Sequence, residues 1–119
     1  MKEILLVTDD KHVQLLLTEE FEEGGYQVLI VSNKKEALSL LANHSKKPDL
    51  VILDLSISEK SGIETLGHVL KQKFKLPVII FPAHSIFRRN ILKKETDAYK
   101  VKSSEMFALR KKVQDLIKN

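Results

Sequence analysis

The chain has no cysteine and no tryptophan among its 119 residues. Without thiols it can carry no disulfide framework, no Cys-ligated zinc or iron–sulfur site and no thiol nucleophile. Aromatics make up only 6% of the residues, leaving little for stacking on bases. Four glycines and three prolines form no linker-like or low-complexity segment. No apolar run approaches the ~20 residues of a membrane span. Met1-Lys2-Glu3 leads straight into a short apolar stretch, which does not read as a signal peptide. A cytoplasmic protein with no membrane partner is expected. The surplus of one charge sign is small, with 20 Lys plus Arg against 16 Asp plus Glu. Lysines dispersed along the chain read as solvated helix faces. Nucleic acid is therefore not expected as a partner through this domain alone.

What is present suits one globular domain spanning residues 1–119: 43% hydrophobic and 30% charged residues over a length too short for two domains. Four short apolar runs stand out, Ile4–Val7, Val28–Val31, Leu50–Leu53 and Val78–Phe81, with Ala98–Lys102 as a weaker fifth. Continuous β-branched runs of this length fit parallel strands covered on both faces. Stretches with helical spacing lie between them. Val13, Leu16, Leu17 and Phe21 form one stripe, stopped by Gly24-Gly25. Ala37, Leu38 and Leu41 form another, opened by Asn33 with Glu36 three residues later as a capping box. Ile63, Leu66, Leu70 and Phe74 make a third, ended by Pro77. Ile86–Lys94 is short and basic, with Ser85 as its expected N-cap. Met106, Leu109, Val113, Leu116 and Ile117 make the last, with Ser103 or Ser104 as its N-cap. Five strands alternating with five helices predict an α/β fold, a doubly wound (βα)5 unit around a five-stranded parallel sheet.

In such a sheet, ligands bind beyond the carboxyl ends of the strands. Thr8-Asp9-Asp10 follows the first strand, Asp54-Leu55-Ser56 the third and Pro82-Ala83-His84-Ser85 the fourth, while the fifth ends at Lys102. Three carboxylates and one ammonium are thus expected at one edge. A divalent cation relieves the repulsion among carboxylates, and oxygen ligands with incomplete protein coordination suit Mg²⁺. A nearby Lys neutralises an incoming phosphoryl group, and an Asp can itself be the nucleophile. Taken singly, each acid reads equally well as a helix cap or loop residue. The histidines at 12, 44, 68 and 84 show no local metal spacing.

These residues carry a family resemblance. The chain resembles the receiver domain of two-component response regulators (CheY-like) over essentially its whole length. Asp9-Asp10 resembles the family's acidic pair and Asp54 its phosphoacceptor, with Gly62 eight residues on. Tyr99-Lys100-Val101-Lys102 resembles the aromatic switch residue followed by the family's Lys. The resemblance implies the flavodoxin-like strand order 2-1-3-4-5. It implies that Asp10, Asp54 and the backbone carbonyl of Ser56 ligate Mg²⁺, with Asp9 holding a metal-bound water. It further implies that Asp54 takes a phosphoryl group from a sensor histidine kinase or phosphotransfer protein. Lys102 would pair with Asp54 and later with a phosphoryl oxygen, and the N–H groups of Leu55, Ser56 and Ala83 would hold the remaining oxygens. The output surface would be the face of the fourth helix, fifth strand and fifth helix, here carrying Arg88, Arg89, Lys93, Lys94 and Lys100. An acidic downstream protein is expected there.

Three positions depart from the family pattern, the least of them Ser58 where the family usually has Pro, a minor loop change. Pro82 replaces the Thr or Ser whose hydroxyl bonds the phosphoryl group, and Pro has neither a hydroxyl nor an N–H. Ser103 replaces a Pro reached through a cis bond, and a cis bond to a non-proline residue costs roughly 3 kcal/mol. The alternative to a phosphoacceptor is accordingly a pseudo-receiver, the same fold used as a phosphorylation-independent protein-interaction module. Enzymes on similar sheets are not expected. A dehalogenase-type phosphatase needs a second Asp where Ser56 stands, no Gly-rich loop follows the first strand, and there is no G-x-S-x-G elbow.

Overall fold

The four strong apolar runs become the strands of one parallel sheet. β1 (Glu3–Val7), β2 (Gln27–Val31), β3 (Leu50–Asp54) and β4 (Val78–Phe81) alternate with α1 (Lys11–Glu23), α2 (Lys34–Asn43) and α3 (Lys60–Gln72), and a long α4 (Glu95–Leu116) follows. The structure is a computed structural model that describes residues 1–43, 47–55, 60–82 and 95–117, with the backbone alone at 60–61 and 95–104. The strand order is β2-β1-β3-β4, every pair parallel, as expected for the doubly wound class.

Because successive side chains of a strand point to opposite faces, each central run serves two cores. Ile4 and Leu6 of β1, with Leu50 and Ile52 of β3, pack against Val13, Leu17 and Phe21 of α1 and Met106, Leu109 and Val113 of α4. Leu5, Val7, Val51 and Leu53 pack on the other side against Ala37 and Leu41 of α2 and Ile63, Leu66 and Leu70 of α3. At roughly 1.5–3 kcal/mol for each fully buried aliphatic side chain, β1 and β3 anchor the domain, and their carboxyl ends are held with them. Gly67 lets α3 lie close to the sheet: a Cβ there would stand 3.0 Å from Ile80 Cδ1 and 3.3 Å from Leu53 Cδ1.

The helix ends follow local chemistry. At the end of α1, Tyr26 N–H donates to the Phe21 carbonyl and Gly25 N–H to that of Glu22, at 3.0 and 3.1 Å. Gly25 has a φ of 90°, and the rings of Phe21 and Tyr26 meet edge to face at 6.0 Å. This is a Schellman stop with its hydrophobic contact. At the start of α2, Asn33 Oδ1 accepts from Glu36 N–H at 2.9 Å, while Glu36 Oε1 accepts from Ser32 N–H at 2.6 Å. The expected capping box forms, with the Glu reaching one residue further back than in the usual arrangement.

The fifth run differs from expectation. Ala98–Lys102 lies inside α4, and Ser103 and Ser104 are interior to that helix rather than its caps. The run has only three apolar residues in five, and no Gly or Pro interrupts the chain from Glu95 to Leu116. Ala, Lys and Glu favour helix, so local propensity continues the strong Met106–Val113 stripe back towards Glu95. The expected fourth helix, Ile86–Lys94, with its cap Ser85, lies outside the described residues. Among those described, no helix is long and apolar enough to cross a membrane.

Candidate functional site

The carboxyl edge of the sheet begins where β1 and β3 run out of apolar residues. Thr8 prolongs β1 by one step, its N–H donating to the Val31 carbonyl at 3.0 Å. Asp54 is the last residue of β3. Both are fully buried, and they are the buried polar residues of the described chain. A polar group in that position requires a partner. Thr8 Oγ1 donates to Asp54 Oδ2 at 2.8 Å and accepts the Asp10 N–H at 3.3 Å.

Asp10 is the N-cap of α1, with φ −89° and ψ 119°. Its Oδ1 accepts the Val13 N–H at 2.9 Å. Gln14 of the same helix donates from Nε2 to the Thr8 carbonyl at 2.9 Å. The first turn of α1 is thereby laced to the end of β1. The cap reading and the ligand reading of Asp10 are compatible, since a capping carboxylate carries its charge to the same edge. Asp9 is exposed and Asp10 half-buried beside the buried Asp54.

On the far side of Asp54, Leu55 N–H donates to the Phe81 carbonyl at 3.0 Å and ties the end of β3 to β4. That bond engages the Leu55 donor expected to hold a phosphoryl oxygen. Pro82 follows immediately, half-buried, at the position expected for a switch hydroxyl. Ser56 and Ala83 lie outside the described residues. Tyr99 and Lys102 belong to the backbone of α4, where their side chains are not described. Among the described residues, no three His, Cys, Asp or Glu side chains are grouped as a metal site.

Thr8 is the residue that reading the sequence for charge passes over. Its signal was its place: a hydroxyl ending an apolar run that is buried on both faces must find a hydrogen-bond partner inside the protein.

The fold and this edge define a doubly wound α/β domain with an acidic site at the carboxyl ends of its central strands. Comparison with known proteins agrees. The response regulator receiver domain family matches residues 4–114, and the chain belongs to that family. It is 39% identical over 83 residues to the transcriptional regulatory protein CpxR of Escherichia coli (strain K12), covering 70% of this chain and 34% of CpxR. It is 35% identical over 85 residues to sporulation initiation phosphotransferase F of Bacillus subtilis (strain 168), covering 71% of this chain and 67% of that protein. Among solved structures, the response regulator TrrA from Thermotoga maritima in complex with Mg²⁺-BeF aligns with a TM-score of 0.70 and 34% identity, over 98% of this chain and 100% of TrrA. TrrA in complex with the histidine kinase ThkA aligns with a TM-score of 0.68 and 32% identity, over 98% of this chain and 99% of the other. The chain spans only 33% of PhoP of Bacillus subtilis and 34% of CpxR, two transcriptional regulators that it matches.

Proposed function

We propose that residues 1–119 form a single receiver domain in which Asp54 accepts a phosphoryl group from a sensor histidine kinase or a phosphotransfer protein. The observation that carries this reading is the placement of Asp54. It ends the central strand β3, its carboxylate is oriented by Thr8, and the acidic pair stands on the neighbouring strand end. The complex of the similar TrrA with a histidine kinase supports the choice of partner.

By its chemistry the donor set suits Mg²⁺, because Asp9, Asp10, Asp54 and the Ser56 backbone carbonyl offer only hard oxygen ligands, although the three carboxylates do not converge as a ligand group in this structure. Bound there, Mg²⁺ supplies positive charge against the phosphoryl oxygens. The similar TrrA in its Mg²⁺-BeF complex supports that assignment. Asp54 supplies the attacking oxygen; the family resemblance gives Lys102 the ammonium for a phosphoryl oxygen, although its backbone lies inside α4 and not at the end of a fifth strand. Downstream, an acidic protein surface is the proposed partner of the basic residues Arg88, Arg89, Lys93, Lys94 and Lys100. The same reading places the domain in the cytoplasm and gives it a signalling role without catalytic turnover of metabolites.

The second reading is a phosphorylation-independent interaction module. It is favoured by Pro82 and Ser103 in place of the family's switch hydroxyl and Pro, and by the complete burial of the Asp54 carboxylate. One experiment separates the two. A small phosphodonor such as acetyl phosphate with Mg²⁺ should add one phosphoryl group to the wild type, seen by intact mass, and none to Asp54→Asn. Absence of labelling in the wild type selects the interaction module.

A further inference from the structure

The buried bond between Thr8 and Asp54 has a consequence for how long a phosphoryl group stays on the protein. Thr8 Oγ1 receives the Asp10 N–H, so its own proton is directed at Asp54 Oδ2, 2.8 Å away. Asp10 also caps α1, so the chain of donors starts at the positive end of a helix. Hydrogen bonds in such a chain polarise one another, most of all where water is excluded. Thr8 and Asp54 are both fully buried.

A hydroxyl donates more strongly to a carboxylate than to a neutral carbonyl. In the free protein, Asp54 presents a carboxylate to Thr8. Once phosphorylated, it presents the carbonyl of an acyl phosphate, the charge having moved to the phosphoryl oxygens. When the acyl phosphate is hydrolysed, a water oxygen bonds to phosphorus and the bond from phosphorus to the Asp54 oxygen breaks. Its electron pair returns to the carboxylate, and both protons of the water leave with inorganic phosphate. In a loose transition state most of that charge is already back on the leaving carboxylate.

Resting on the acceptor reading above, we infer that Thr8 is a positioning residue that shortens the lifetime of the phosphoryl group on Asp54, by donating to the carboxylate as it leaves. The same bond stabilises the attacking carboxylate of the free protein slightly more than the transition state for loading. Removing it should therefore change loading and loss in opposite directions.

Thr8→Val keeps the shape and deletes the donor. With acetyl phosphate and Mg²⁺, followed by intact mass after removal of the donor, Thr8→Val should lose its phosphoryl group about three- to tenfold more slowly than the wild type. Its loading should be up to about twofold faster. Thr8→Ser should restore wild-type values for both. General damage to the fold would slow loading instead, so a variant slower in both overturns the inference. A separate readout needs neither metal nor phosphodonor: the Thr8 hydroxyl proton should be protected enough from exchange to be seen by NMR, and lost in Asp54→Ala. An exchanging hydroxyl overturns the inference. Equal lifetimes in wild type and Thr8→Val overturn it while leaving the acceptor reading intact. Failure of the wild type to label overturns both.

Discussion

Arg110 of α4 and Glu20 of α1 form an ion pair of 2.6 Å between Nη1 and Oε2. It joins the two helices on one side of the sheet across ninety residues of sequence. The Arg side chain is 40% exposed and that of Glu 14%, so solvent screens part of the attraction. Beneath it the contact is apolar, with Met106, Leu109 and Val113 against Val13, Leu17 and Phe21. The pair orients a packing that burial already favours.

A double-mutant cycle with Glu20→Gln and Arg110→Gln should give a coupling of about 0.5–1 kcal/mol in denaturant unfolding, weaker in high salt. A cycle showing no coupling would mean that apolar burial alone fixes the position of α4.

Asp10 caps α1 and, in the function proposed above, also ligates Mg²⁺; different substitutions separate the two. Asn is as good an N-cap as Asp, whereas Ala is not. Asp10→Asn should unfold within a few tenths of a kcal/mol of the wild type, and Asp10→Ala should lose about 1 kcal/mol. Both should weaken Mg²⁺ binding, followed by NMR shifts at Asp9 and Asp54. Unchanged Mg²⁺ affinity in both variants would remove Asp10 from the metal site.

The stop at the end of α1 depends on backbone freedom at Gly25, whose φ is 90°. A side chain there strains the left-handed conformation by roughly 1–2 kcal/mol. Gly25→Ala should lower stability by about that amount, measured by urea unfolding. Gly24→Ala should do less, because Gly24 sits at φ −80° and the atom nearest its added Cβ, the Phe21 carbonyl oxygen, would be at an ordinary 3.5 Å.

Phosphorylation should be weakly coupled to conformation, because Pro82 offers no donor that gains a bond only when the phosphoryl group is present. A bond of that kind contributes roughly 1.5–3 kcal/mol, as large as a typical allosteric coupling. Without differential affinity for two loop positions, a ligand shifts no population. Tyr99 resonances should therefore move little on phosphorylation of the wild type and more in Pro82→Thr. A large Asp54-dependent change at Tyr99 in the wild type would show that another donor takes the place of the missing hydroxyl.

Much of the fold was legible in the chain because its signals are local. The runs Ile4–Val7 and Leu50–Leu53 are apolar at every position, which only a strand covered on both faces explains. Gly24-Gly25 and Asn33 with Glu36 mark helix ends through contacts of five residues or fewer. Asp9-Asp10 and Asp54 could be placed at one edge because parallel strands bring their carboxyl ends together.

Tertiary structure decided what depended on partners distant in sequence. Ala98–Lys102 has a composition compatible with strand or helix; local propensity extends the helix through it, and the packing of the Met106–Val113 stripe against α1 anchors the helix it joins. Thr8 meets Asp54 across 46 residues, and no pattern around either residue encodes that contact. It arises because adjacent strands end at the same level, where burial leaves a hydroxyl no water to bond and a carboxylate stands within reach.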